Sequence, residues 1–341
     1  MTESQRPKER IEMITLHKIL FVFCFLSLSL NYYISTKPML EIENPAFSLI
    51  QPNETITSKF SDNYDQLIDI KKFSFKINPK PCKRYPEGFL LMIIVSSNPL
   101  NYENRLVIRK TWGQTDESTN IVFLVGETDN VTVSQKIQEE SVTYGDIVQG
   151  NFKDAYHNMT YKHVMGLKWI SHHCMNSKYI LKTDDDIVVN ADELKRFLVR
   201  RLSPWGAKGL IMCKVAKHAL AQRRQSSKWM VTLEEYPMPF YPDYCPGWAI
   251  LYSRDVVPRL LEAAQNTPYF WIDDVHITGI LAQKIGVPRT SITNYVLTEK
   301  KAELLVKSGR QNIGRFLFGP PNLKVQRMSA LWRAISQSCH I

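Results

Sequence analysis

The 341 residues contain no CxxC pair, no internal repeat and no low-complexity tract. The first absence removes the usual paired-thiolate zinc site. The second removes solenoids and propellers, which need self-similarity at a fixed period. Acidic residues are also short in number, 33 Asp and Glu against 43 Lys and Arg, for a formal net charge of +10. That excess favours anionic partners such as nucleotides, phosphates, acidic glycans or a membrane surface. A nucleic-acid partner would rest on this charge alone, and the basic residues are scattered, so no nucleic acid is expected. A metal-dependent hydrolase would need further His or Asp ligands at a bridging spacing, and none is found. What remains is a globular composition, 44% apolar and 22% charged, long enough for one large domain or two ordinary ones.

One apolar run, Ile19–Ile34, carries no charge and follows Arg6, Lys8, Arg10 and Lys18. Asn31-Tyr32-Tyr33 stands where a cleaved signal would place small residues, and tyrosines suit the membrane interface. The reading is a cytoplasmic tail over 1–18, a signal-anchor transmembrane helix over 19–34, and a lumenal remainder. A span this short fits a thin internal membrane, the Golgi, with the protein single-pass and type II. Sequons at Asn53, Asn130 and Asn158 agree with a lumenal address. Cys24 lies in the run, whereas Cys82, Cys174, Cys213, Cys245 and Cys339 would meet oxidising conditions. Two bridges and one leftover thiol allow many pairings, among which sequence does not choose. Residues 35–80 are polar and contain proline, and read as a stem or linker ahead of a single domain over 81–341.

From Gly88 onward buried-strand and helix patterns alternate. FLLMIIVSS and IVFLVG are continuous apolar runs, DIVQ is a short strand, and KYILKT is the next. Between them, NYENRLVIRKTWG, SQKIQEESVTYG and AYHNMTYKHVMGLKWISHHC carry helical spacing. The order implies an α/β fold with a mostly parallel sheet and helices on both faces. In such sheets ligands bind beyond the carboxyl ends of the strands.

Three aspartates, Asp184, Asp185 and Asp186, follow KYILKT at such an end, with Ile-Val-Val behind them. Adjacent carboxylates repel, so a cluster set between two apolar pieces suits a hard divalent cation and its phosphate ligands. The plain alternative is a solvated acidic turn capping the helix ADELKRFLVR. Asp273 and Asp274 open a second apparent helix behind the aromatic flank Tyr269-Phe270-Trp271. They read either as dipole-favoured first-turn acids or as a general base on a sugar hydroxyl. The segment Lys228–Ser253 is rich in aromatics and prolines; sugar rings pack on aromatic side chains, but on composition alone an ordinary loop core is the favoured reading.

Taken in order, NRLVIRKTWG, FLVG, GDIVQGNFKDAYHNMTYK, KYILKTDDDIVVN, KWMVTLEEYPMPFYPDYCPG and IDDVHITGILAQKIG resemble the motifs of the β-1,3-galactosyltransferase family, glycosyltransferase family 31. The resemblance runs from about Gly88 to Gly286. It implies a GT-A-like, Rossmann-type fold, a UDP-sugar donor, Mn²⁺, inversion at the anomeric carbon, and a glycan acceptor on glycoprotein or glycolipid. It places Asp186 and Asp184 at the metal, with Asp184 and Asp185 at the nucleotide-sugar. Asp274 becomes the base, with Asp273 beside it. Ser96, Arg105, Arg109, Asp154 and Lys162 fall on the donor side. Homodimerisation and the donor sugar are left open. Two positions depart from the pattern. Lys307 stands where the family carries a late histidine at the metal, so that His340 serves instead, the site binds metal weakly, or the lysine's own charge replaces the cation's. Trp248 replaces a small residue and would narrow the sugar pocket. The rival reading is a catalytically silent relative that binds nucleotide or glycan.

Overall fold

The structure is a computed structural model and describes residues 47–52, 54, 61–309 and 313–337. The expected tail and anchor, the Asn53 sequon, Cys24, Cys339 and His340 lie outside the described residues. Among the described residues no helix is long and apolar enough to cross a membrane.

The strands are β1 Ser48–Leu49, β2 Phe75–Ile77, β3 Phe89–Ser96, β4 Thr119–Glu127, β5 Ile147–Lys153, β6 Ser177–Asp184, β7 Ala207–Lys208, β8 Ile211–Cys213, β9 Ala249–Ser253 and β10 Arg289–Ser291. β1 pairs with β7, and the other eight form one sheet in the order β10-β8-β9-β6-β3-β4-β5-β2. β6, β3, β4 and β5 run parallel, and β9 runs against β6 and β8. The apolar runs sit at the centre because both faces there are covered, and β3 exposes almost nothing.

The helices are α1 Tyr102–Lys110, α2 Val131–Tyr144, α3 Met159–His173, α4 Ala191–Arg200, α5 Val256–Gln265, α6 Glu299–Ser308 and α7 Val325–Gln337, with a π-helical segment at Val275–Leu281. α2 stops at Gly145, whose φ of +65° lies in the left-handed region that a side chain disfavours. From β3 the chain steps outward through β4 and β5, then returns to the other side of β3 as β6. The strand order reverses there, and the crevice opens beyond Ser96 and Asp184, which are partners in register.

Residues 61–80, inside the stretch expected to be a linker, are built into the domain. β2 hydrogen-bonds the sheet edge along β5, and Leu67, Ile68 and Phe73 are core residues. Asp62 accepts from Lys168 Nζ on α3 at 2.7 and 2.9 Å and also pairs with His172. Polar composition concealed a segment whose few apolar residues are all used. Two disulfides are present: Cys82–Cys174 joins the start of the domain to the end of α3, and Cys213–Cys245 joins β8 to the loop before β9.

Candidate active site

The β6 strand ends in the acidic turn, and its alternation divides the three carboxylates. Asp185 turns inward. Its carboxylate accepts from Ser97 Oγ at 2.6 Å and Asn101 Nδ2 at 2.9 Å, while its carbonyl accepts from Asn104 Nδ2 at 3.0 Å. Burial pushes this carboxyl up, against the pull of those hydrogen bonds. Asp184 and Asp186 face a cleft of about 300 Å³. Burial, and then the charges of Asp184 and Asp185, push the Asp186 carboxyl up to about 6. Leu323 N donates to the Asp186 carbonyl at 2.8 Å, fixing the neighbouring Pro321-Asn322 loop against the turn.

The opposite wall is the start of the π-helical segment. Asp273 is held by the buried His163 of α3, with Nδ1 3.2 Å from Oδ2, and His163 Nε2 lies 3.2 Å from the Tyr252 hydroxyl. Burial keeps the imidazole neutral by lowering its pKa. It therefore donates to Asp273 and accepts from Tyr252. Burial raises the Asp273 carboxyl, but His163 and Lys182 outweigh it and hold it below the usual range. Asp274 goes the other way, raised well above that range by burial and by the charge of Asp273. Thr278 Oγ1 donates to the Asp274 carbonyl at 2.6 Å and accepts from Cys245 N at 2.8 Å, so the disulfide-bonded loop braces the acid. A π turn is wider than an α turn and recurs at functional sites.

Lys182 lies between the two acidic pairs. Its Nζ donates to Asp184 Oδ1 at 2.8 Å and to the Gly247 carbonyl at 2.6 Å, and sits 4.0 Å from Asp273 Oδ2. Burial opposes its charge, yet Asp184, Asp273 and Asp274 together lift its pKa above the ordinary lysine value. Gly247 is required by this crowding. A Cβ there would strike Asp274 Oδ1 and come within 2.9 Å of Lys182 Nζ. Tyr156, Trp229, Trp248 and Trp271 complete the cleft with Lys228.

The Galactosyltransferase family model matches residues 103–293, more than half the chain. The chain belongs to the β-1,3-galactosyltransferase family. β-1,3-Galactosyltransferase 5 of Pan troglodytes is 28% identical over 216 residues, covering 62% of this chain and 71% of that protein. β-1,3-Galactosyltransferase 1 of Mus musculus is 30% identical over 226 residues, covering 64% and 68%. Among solved structures, a glycosyltransferase involved in glycosylation of the major capsid of PBCV-1 is similar at TM-score 0.30 and 11% identity, covering 74% of this chain and 100% of that one. The α/β, GT-A-like assignment of the transferase rests instead on its strand order and switch point.

Not every residue expected on the donor side reaches the cleft of the transferase. Ser96 stands at the end of β3 with a buried hydroxyl that has no hydrogen-bond partner. Asp154 accepts from Gly126 N at 2.6 Å and pairs with Lys162, whose Nζ also donates to the Ser97 carbonyl at 2.6 Å. The pair ties the ends of β3, β4 and β5 together behind the crevice. Arg105 and Arg109 were expected to offset diphosphate charge, but neither lines the cleft. Glu140, a buried acid on α2, takes both guanidinium groups. Arg105 further donates to Ser97 Oγ and to the carbonyls of Asn98 and Pro99, which shapes the loop that holds Asp185. Arg109 also pairs with Asp146 and lines a separate cavity at the far ends of the strands. Lys307 likewise does not line the cleft; it lies in a groove with Leu323 and Arg327.

Among the described residues no three His, Cys, Asp or Glu side chains gather into a cation cage. Asp184 and Asp186 are the carboxylates of the triplet that share the cleft. That set fits a hard cation which draws its other oxygens from a substrate or water. Sequence reasoning passed over Lys182, Gly247 and His163. The quoted Lys-Thr and Cys-Pro-Gly flanks contained two of them, but only the fold puts a helix-borne histidine beside Asp273.

Proposed function

We propose that the transferase is an inverting β-1,3-glycosyltransferase. It moves a hexose or N-acetylhexosamine from a UDP-sugar to the 3-hydroxyl of a glycan on glycoprotein or glycolipid, with Mn²⁺ as cofactor. One observation carries the reading: Asp274, a carboxyl with a raised pKa, shares a cleft with Asp184 and Asp186. Adjacent carboxyls driven apart by their surroundings take different acid–base roles. Asp273 remains the anion, fixed by His163, and positions Lys182. Asp274 accepts the proton of the acceptor hydroxyl while that oxygen forms its bond to C1 of the donor sugar. The bond from C1 to the diphosphate oxygen breaks on the opposite face, UDP departs with the electron pair, and the configuration inverts. Asp186 and Asp184 would hold the cation, which neutralises charge on the departing diphosphate when bound. The buried, unpartnered hydroxyl of Ser96 at the end of β3 would serve as a donor to the nucleotide. The basic flank, the apolar run Ile19–Ile34 and the two disulfides support a type II Golgi placement with the domain in the lumen.

Calorimetry of the full chain with UDP, with and without Mn²⁺, tests the donor half. UDP binding that depends on Mn²⁺ and is lost in Asp186→Ala is the expected result. Binding with an unchanged metal response in that variant removes Asp186 as a ligand.

A further inference from the structure

Beyond the general base, the cleft wall continues as a run of aromatic contacts. Trp271, two residues before Asp273, is 6% exposed and lines the cleft. Its indole Nε1 is a buried donor with no partner. Its ring packs on His157 at 4.2 Å between centroids and lies 6.1 Å from Tyr156. Lys228 Nζ sits 5.9 Å from the Tyr156 ring and 4.4 Å from the Trp229 ring. Among the described residues Lys228 shows no carboxylate within ion-pair distance. The loop that presents it is fixed. Arg223 donates to the carbonyls of Val231, Thr232, Tyr236 and Met238 at 2.6–3.0 Å. The cleft lining therefore combines a proton acceptor, aromatic ring faces and an exposed cation without a counter-ion, with the unsatisfied indole N–H of Trp271 buried in its wall.

We infer that this wall is the acceptor subsite, and that it selects a glycan carrying a carboxylate or sulfate on or beside the sugar that is extended. The inference rests on the transferase reading above. Trp271 Nε1 donates to a sugar oxygen, because an indole N–H buried without a partner is costly unless a ligand supplies one. Tyr156 and Trp229 take the apolar faces of the rings. Lys228 meets the anion. The alternative partner for this lysine is the donor diphosphate, but its ring contacts are with Trp229 and with Tyr156, which neighbours Trp271.

The test is a titration of the full chain's tryptophan fluorescence with matched sugars. Methyl β-glucuronide is compared with methyl β-glucoside, and a 6-sulfated β-galactoside with its unsulfated counterpart. The two pairs separate carboxylate from sulfate. Tighter binding of the charged member, by about tenfold, is expected for at least one pair, since a charge-assisted hydrogen bond is the difference. Lys228→Met should erase that preference and Lys228→Arg keep it, while Trp271→Phe should weaken both members alike. In turnover, Lys228→Met should raise the acceptor KM and leave the donor KM unchanged. Equal binding of charged and neutral members by the wild type overturns the inference, as does a Lys228→Met effect confined to the donor KM. A wild type that prefers the charged sugars yet transfers nothing would strike the proposed reaction and leave the acidic-glycan subsite standing.

Discussion

Asp274 carries two demands that oppose each other. As a base it must ionise, but burial and Asp273 favour its neutral form. Its folded pKa lies above the unfolded value, so its contribution to stability is complete below about pH 4 and is lost as pH rises through the raised value. Asp274→Asn should therefore melt at the same temperature or higher at pH 8, while transfer falls by about 10²–10⁴-fold. Thermal melts and initial rates check this. A rate close to wild type would eliminate Asp274 as the base. The wild-type rate should also climb on the acid limb above the ordinary carboxylate range, a climb absent from the residual activity of the Asn variant. Gly247→Ala is the second residue-scale expectation. The new methyl displaces Asp274 or Lys182, and kcat should drop while the overall fold, read by circular dichroism, is kept. The acidic residues were legible because adjacent like charges at a strand end need a reason. Lys182 was not, because a lysine in a strand signals nothing until the neighbouring wall is seen.

At the scale of elements, the central strands and most helices were readable from apolar runs and from spacing. The π-helical segment was not, since Ile277, Ile280 and Leu281 suit an ordinary helix equally well. β2 was missed for its length: Phe75–Ile77 is too short to show alternation. The sequons illustrate what an element adds to a motif. Asn130 caps α2 through its side-chain oxygen, accepting from Val133 N, and is exposed. Asn158 instead donates its amide nitrogen to the Lys153 carbonyl at 2.8 Å, and Thr160 of the same sequon is buried on the Phe270 carbonyl. Asn130→Gln should remove a glycan, visible as a gel shift matching endoglycosidase treatment. Asn158→Gln should produce no shift but lower stability by about 1 kcal/mol, the worth of one hydrogen bond.

The whole molecule depends on contacts that bypass the central sheet. Lys168 has no exposed side chain and relies on Asp62, more than a hundred residues earlier. Asp62→Ala leaves that charge buried without its partner and should cost about 3–5 kcal/mol, measured by denaturant unfolding. A smaller loss would mean that the Asn63 carbonyl, already bonded to Lys168 at 2.8 Å, or water takes over the role. This architecture was the least legible in the sequence, because Asp62, one of three aspartates in a polar stretch, looks like solvent-facing linker. If the proposed membrane anchor holds the domain, the position of Asp62 also sets a boundary for its release. A protease that cuts just upstream of residue 61 would leave the edge strand β2 and the buried Lys168–Asp62 pair in place. A cut between Asp62 and Phe75 would remove the ion pair, and one after Ile77 would remove the edge strand as well, so the product would carry every cleft residue on a weakened domain. Mapping the N-terminus of secreted, active protein would locate the cut relative to that line.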